Sequence, residues 1–141
     1  MKKIILDCDP GVDDVLAIIV AIKSKEIKIE GITTVQGNCS LDQASKNAQR
    51  VVDYFGKNIP VFKGESKPIL VAQLRIESVH GKDGLGDSDI LPYSSKLINE
   101  NAVDFIISQV KSGNVKTIVA TGPLTNIAKA FKKDKDTMDK L

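Results

Sequence analysis

Cysteine is scarce: Cys8 and Cys39 are the two in 141 residues. They form neither a C-x-x-C pair nor a zinc spacing, which argues against a disulfide scaffold or a zinc module. Cys8 lies between Asp7 and Asp9 at the end of an apolar run and reads as a buried free thiol. An excess of charge of one sign is also missing. Twenty Lys and Arg against 18 Asp and Glu leave a net charge of +2, so nothing points to a nucleic-acid or membrane surface. The Lys-rich end, Lys129 to Lys140, is interleaved with Asp134, Asp136 and Asp139 and reads as a solvated helix face rather than a binding patch. No apolar run approaches the ~18 residues of a membrane span. The start, M-K-K-I-I-L-D, offers three apolar residues before its Asp, too few for a signal peptide. A cytoplasmic location is the expectation. There is no internal repeat.

What is present suits one soluble domain with a real core: 42% hydrophobic and 27% charged residues. Ile4 to Leu6 reads as a buried strand, broken by Pro10-Gly11. Asp13 or Asp14 can cap a helix running to about Ser24. Its body, V-L-A-I-I-V-A-I, is apolar nearly all round, which predicts deep burial. Ile27 to Val35 is a second strand. Ser40 caps a second helix, with Leu41, Ala44, Ala48, Val51, Val52 and Phe55 at helical spacing and Gly56 at its end. Ile59 to Phe62 is a third strand. Residues 63 to about 95 are rich in Gly and Pro, and a loop this long is functional or disordered. Ala102 to Val110 is a helix and Val115 to Ala120 a fourth strand. Gly122-Pro123 then turns into a helix from about Leu124 to Lys132.

This alternation predicts an α/β fold with a mostly parallel, Rossmann-like open sheet and helices on both faces. Ligands in such sheets sit at the carboxyl ends of the strands. Asp7 to Asp14, Gly37-Asn38 and Thr121-Gly122-Pro123 each follow a strand, so all three are expected on one sheet edge. The first carries four carboxylates in eight residues, Asp7, Asp9, Asp13 and Asp14. Carboxylates so crowded repel, and a bound cation removes the conflict. Hard oxygen ligands suit Ca²⁺ or Mg²⁺ rather than zinc. The spacing is not that of an EF-hand, because the sixth-position Gly and twelfth-position Glu are missing. The plainer alternative is that Asp13 and Asp14 only cap the helix while Asp7 bonds a nearby backbone group.

D-C-D-P-G-V-D-D after I-I-L resembles the signature of the inosine-uridine-preferring nucleoside hydrolases. G-I-T-T-V-Q-G-N (31–38), N-A-Q-R (47–50), V-H-G-K-D-G-L-G (79–86) and A-T-G-P-L-T-N-I-A (120–128) are similar to later segments of that family, in the family's order. The resemblance implies a nucleoside hydrolase fold and calcium-dependent hydrolysis of the N-glycosidic bond of purine or pyrimidine ribonucleosides, a step of nucleoside salvage. By position, Asp9 would be calcium ligand and general base, Asp14 a calcium ligand, and Thr121 a ligand through its carbonyl. Asp13 and Asn38 would hold ribose hydroxyls, Asp7 would support the site from behind, and His80 would lie beside the base. On residue type alone His80 is equally a loop hydrogen-bonder. H-G-K-D-G-L-G is no phosphate loop, since Asp83 follows G-K, and reads as a lid over substrate.

Family members continue through a second half that supplies a further acidic calcium ligand, ribose contacts and often a histidine. Residues 1–141 are therefore expected to be one domain, the N-terminal part of a hydrolase domain cut off after Leu141, with an exposed sheet edge and uncertain activity of its own. The resemblance also implies a homo-oligomer, dimer or tetramer, with a ribonucleoside as partner and neither nucleic acid nor membrane. Two other readings are open. A haloacid-dehalogenase-type Mg²⁺-dependent phosphatase also starts with a strand ending in D-x-D, and I-V-A-T (118–121) imitates its second motif. Pro10-Gly11 and the Asp13-Asp14 pair argue against it. An inactive fragment that binds calcium or sugar weakly is the non-enzymatic reading.

Overall fold

A computed structural model describes residues 1–70, 77–88 and 101–141. Four strands, β1 (Lys2–Cys8), β2 (Ile27–Thr34), β3 (Val61–Lys63) and β4 (Ile118–Ala120), form one sheet in the order β3-β2-β1-β4. Every pairing is parallel, as the β/α alternation predicts. Six helices accompany them among the described residues: α1 (Val12–Lys23), α2 (Leu41–Tyr54), α3 (Glu77–His80), α4 (Ala102–Lys111), α5 (Thr125–Lys133) and α6 (Lys135–Met138).

β1 is central, and its alternation divides the core. Ile4, Leu6 and Cys8 join Ile18 and Ala21 of α1 and Ala48, Val51 and Val52 of α2. Ile5 turns the other way, toward Val103, Phe105, Ile106 and Val110 of α4, Ala130 of α5 and Met138 of α6. A side chain at β1 thus chooses its layer by parity, and Asp7 shares the parity of Ile5. Between Ile29 and Gly31 the β2 register slips by one residue. Glu30 takes the extra place and pairs with Lys28 at 2.8 Å, while Phe62 and Phe105 stack over Gly31 with centroids 3.8 Å apart.

Several boundaries follow the expected signals. Ser40 Oγ accepts from the Gln43 amide at 3.3 Å. At the other end of α2, Gly56 adopts φ +58 and the Lys57 amide reaches the Val52 carbonyl at 3.1 Å, the left-handed stop of a Schellman ending. Cys8 and Cys39 are buried and form no disulfide. The third strand is shifted to Val61–Lys63 and the fourth shortened to Ile118–Ala120.

Three expectations need correction. Neither Asp13 nor Asp14 is the N-cap of α1. Gly11 holds that place, and Asp14, three residues on, accepts the Gly11 amide at 3.4 Å. α1 is not buried all round: Val12, Leu16 and Val20 leave an exposed stripe, with Leu16 59% and Val20 68% exposed. An all-apolar helix shows which faces can be buried, but what packs on them is decided by the rest of the fold. Lastly, the Lys-rich end is solvated as expected, with Lys132, Lys133, Lys135 and Lys140 exposed, but it is not one helix face: Asp134 breaks it and caps the short α6 through the Thr137 amide at 3.1 Å, and Thr137 and Met138 are buried. In the segment 63 to 95, α3 is a helical turn, and residues 71–76 and 89–95 lie outside the described residues.

The two faces of α1 give a direct contrast. Ile18→Ala is expected to lower stability by ~2–5 kcal/mol, and Leu16→Ser by less than ~0.5 kcal/mol, in urea melts. A Leu16→Ser loss as large as that of Ile18→Ala would show that the stripe is covered in solution.

Candidate active site at the carboxyl edge of the sheet

The carboxyl end of β1 lies between those of β2 and β4, and the predicted segments gather there. The Thr121 amide donates to the Asp7 carbonyl at 2.9 Å and the Val35 amide to the Cys8 carbonyl at 3.1 Å. These two bonds carry the chains leaving β4 and β2 past the D-C-D-P-G turn.

Asp7 is fully buried. Its Oδ1 accepts from Thr33 Oγ1 on the neighbouring strand and from Asn126 Nδ2 of α5 at 2.8 Å. Its Oδ2 is buried and has no hydrogen-bond partner among the described residues. Burial pushes the Asp7 carboxyl up to about 6, against the pull of Asn126 and Thr33. Asn126 is itself fully buried. Its Nδ2 also reaches the Thr34 carbonyl at 3.0 Å, and its Oδ1 accepts the Glu65 amide at 2.9 Å. One amide thereby joins the ends of β1, β2 and β3 to α5.

Asp9 is also buried. Its Oδ2 accepts the Asn38 amide at 2.6 Å, and the Asn38 side chain donates back to the Asp9 carbonyl at 3.3 Å. The same Nδ2 lies 3.5 Å from Asp14 Oδ2, so Asn38 bridges the two carboxylates. A Cβ on Gly37 would fall 1.9 Å from Asp9 Oδ2, and one on Gly122 2.7 Å from Oδ1. Asp9 fills a slot that only two glycines leave open. Burial raises the Asp9 carboxyl to about 7; the Asn38 amide opposes this, and the nearby Asp14 charge adds to it. Burial and the three surrounding carboxylates raise the Cys8 thiol, which keeps it an inert, protonated core group.

Of the four carboxylates, three converge. Asp7, Asp9 and Asp14 are buried, whereas Asp13 is exposed and faces His80, its Oδ1 4.0 Å from the ring Nδ1. The Val12 amide at the start of α1 donates to the same Nδ1 at 3.4 Å. That bond needs a lone pair on Nδ1, so the proton of the neutral ring resides on Nε2. Thr121 lies at the surface beside this group. No three His, Cys, Asp or Glu side chains form a ready metal cage among the described residues. What the chain offers a cation is the adjacent carboxylates of Asp9 and Asp14, with the Thr121 carbonyl following β4 on the same sheet edge. This all-oxygen set fits a hard cation and not a thiophilic one. A shallow cleft elsewhere, lined by Glu65, Asn101, Asp104, Lys129 and Lys133, has its charges paired internally, Lys129 with Glu65 at 2.6 Å and Lys133 with Asp104 at 2.5 Å.

Asn126, Asn47, Thr33 and Gly37 belong to this neighbourhood, and the sequence reading assigned none of them a role. For Asn47 a signal exists. It shares the buried stripe of Ala44, Ala48 and Val51, and a polar residue there must find partners.

Comparison with known proteins bears on the same residues. The family model for inosine-uridine preferring nucleoside hydrolases matches residues 4–141. The chain is 44% identical over 138 residues to a probable uridine nucleosidase 2 of Arabidopsis thaliana, covering 94% of this chain and 42% of that protein. It is 41% identical over 144 residues to the inosine-uridine preferring nucleoside hydrolase of Leishmania major, covering 99% and 46%. The fold superposes on a purine-preferring ribonucleoside hydrolase from Gardnerella vaginalis with a TM-score of 0.89 at 40% identity, over 96% of this chain and 45% of that one. The chain spans less than half the length of these relatives.

The raised carboxyls have a signed consequence. Asp7 and Asp9 hold protons in the folded state up to about 6 and about 7, against 3.8 ordinarily. Between pH 4 and 7 the metal-free folded chain therefore binds more protons than the unfolded one, and its stability falls as pH rises. Asp7→Asn is expected to remove on the order of 2–3 kcal/mol of that fall, read from urea melts at pH 4 and 7. An unchanged slope would show that Asp7 is already ionised at pH 4.

Proposed function

Because the chain belongs to the inosine-uridine preferring nucleoside hydrolase family, we propose that it contributes the N-terminal part of a calcium-dependent enzyme releasing ribose and free base from purine or pyrimidine ribonucleosides. The observation that carries this reading is the placement of Asp9. Its carboxylate is buried between Gly37 and Gly122, held by the Asn38 amide and raised toward neutrality. A carboxylate fixed this firmly beside a second one suits a general base, and a cation bound to it would bring its proton affinity down from the metal-free value.

In this reading Asp9, Asp14 and the Thr121 carbonyl hold calcium. When bound, the cation would supply a Lewis acid that orients the ribose diol and acidifies water. The chain's own residues do the rest. Asp9 takes the proton from the water that adds to the anomeric carbon. The bond from that carbon to the base nitrogen breaks, through an oxocarbenium-like transition state that the neighbouring carboxylates stabilise, and the base nitrogen keeps the electron pair and takes a proton from solvent. Asn38, already bonded to Asp9 and close to Asp14, and the exposed Asp13 are placed to meet ribose hydroxyls. His80, whose Nδ1 receives the Val12 amide, would use its other nitrogen toward the base. Asp7 stands behind Asp9, fixed by Thr33 and Asn126. No helix among the described residues is long and apolar enough to cross a membrane. The proposal includes a cytoplasmic setting, a homo-oligomeric assembly and a role in nucleoside salvage.

Two measurements test it. Millimolar calcium is expected to raise the melting temperature of the chain, because it binds only the folded state, and Asp14→Asn should cancel the rise. A melt indifferent to calcium would remove Asp9 and Asp14 as a sufficient metal site. In ribose release from uridine and inosine, Asp9→Asn is expected to lower turnover by ~10²–10⁴-fold with the fold intact. Unchanged turnover would remove Asp9 from the base role.

A further inference from the structure

Asn47 stands out among the buried polar side chains. It is fully buried on α2, and its whole amide is engaged. Nδ2 donates to the Pro10 carbonyl at 3.0 Å and to the Asp83 carbonyl at 2.8 Å. Oδ1 accepts from Gln43 Nε2, one helical turn earlier, at 2.9 Å, and this fixes which end of the amide is the donor. The two carbonyls belong to different segments. Pro10 is in the turn that carries Asp9 and Asp14. Asp83 is in the segment 80–87, which has no strand or long helix to hold it.

That segment is braced from within. Asp83 Oδ1 accepts the Leu85 and Asp87 amides at 2.7 and 2.8 Å, and the Gly86 amide closes on the His80 carbonyl at 2.8 Å. The turn is therefore a small rigid unit with His80 at its start. Gly84, at φ +76, allows it to lie flat: a Cβ there would come 3.0 Å from Asn47 Nδ2 and 3.2 Å from the Pro10 carbonyl. This unit reaches the carboxylate turn at both ends: through Asn47 at one, and at the other through His80, which receives the Val12 amide and lies 4.0 Å from Asp13 Oδ1.

We propose that Asn47 is a positioning residue: its two-pronged donation locks the 80–87 turn onto the Pro10 turn and so sets the His80 ring against the first turn of α1. Without those donors, the buried Pro10 carbonyl keeps only the long contact from Cys39 Sγ, and the half-buried Asp83 carbonyl loses the donor that ties it to α2. The turn then lifts, and the ring loses the amide that selects its Nε2–H form. The positioning rests on contacts within the chain. Its consequence for nucleoside turnover rests on the proposed function.

His80 is the single histidine of the chain, so its ring nitrogens can be read directly by NMR. The experiment compares the 141-residue chain with Asn47→Asp, which keeps the shape and removes the donors, with Gly84→Ala, and with the double variant. The wild-type ring, at alkaline pH, is expected to show the Nε2–H form. Both single variants should shift it toward the mixture of a free imidazole. Amide exchange across residues 80–87 should quicken by about tenfold or more, while β1 and β2 stay protected. The double variant should add little, because both changes open one contact. Ring signals unmoved in the variants would overturn the proposal. So would protection lost evenly through the sheet, or additive effects in the double variant. Should Asn47→Asp not fold, Gly84→Ala decides alone, since it approaches the same contact from the loop. These readouts need no turnover. The positioning therefore stands or falls on the ring and exchange signals, whether or not this chain, which spans less than half of its relatives, releases ribose by itself. In a chain that does release ribose, Asn47→Asp should change KM for the nucleoside more than kcat.

Discussion

Asp7 at the end of the central strand is the residue that most of the site is arranged around. A carboxyl group taken wholly out of water is costly unless donors meet it. Here they come from two directions, Thr33 on β2 and Asn126 on α5. Asn126 in turn needs acceptors and donors of its own, and finds them at Thr34 and Glu65. The ends of three strands and one helix are thus tied at one point. Thr121 and Gly122, which follow β4, are held on the Asp7 carbonyl. Asp9, two residues on, inherits this frame, and the slot between Gly37 and Gly122 exists because both flanking chains are pinned beside β1.

The same frame explains a division among the four acidic residues. Asp7, Asp9 and Asp14 each have donors that make burial tolerable, from side chains, from the Asn38 amide and from the Gly11 amide. Asp13 points the other way on the first turn of α1 and stays in water beside His80. A buried carboxylate and a solvated one are thereby separated within two adjacent residues, by the 100° step of a helix.

Much of this was legible beforehand. Strand–helix alternation with apolar β-branched runs allows little besides a parallel sheet, and in such a sheet every strand-end motif falls on one edge. That places Asp9, Asn38 and Thr121 together before any coordinates exist. The phosphatase reading drew on the same D-x-D strand end, and the family match over residues 4–141 leaves it without support. What was hidden depends on tertiary contact. Periodicity cannot say that Leu16 and Val20 stay exposed while Ile18 is buried, since all are equally apolar. It cannot assign Asn126 to Asp7, a partner 119 residues away. The N-cap was misassigned because Asp13 and Asp14 are good capping residues by type, yet the Pro-Gly turn delivers Gly11 to the cap and leaves Asp14 at the third helical position, from which a carboxylate reaches back.

The distance in sequence between Asp7 and Asn126 also sets the order in which the site can be completed. β1, β2 and β3 with α1 and α2 are close along the chain and form pairings of short loop closure, whereas the Asn126–Asp7 contact spans 119 positions. During synthesis the first three strands emerge well before residue 126. Until then Asp7 has Thr33 but not its amide, and Asp9 has Asn38 but not Gly122 above it. Until the last layer docks the acidic edge is open to solvent, and the burial that raises the Asp7 and Asp9 carboxyls is completed only with it. The pH of the surrounding solution thus bears on the closing step of folding itself.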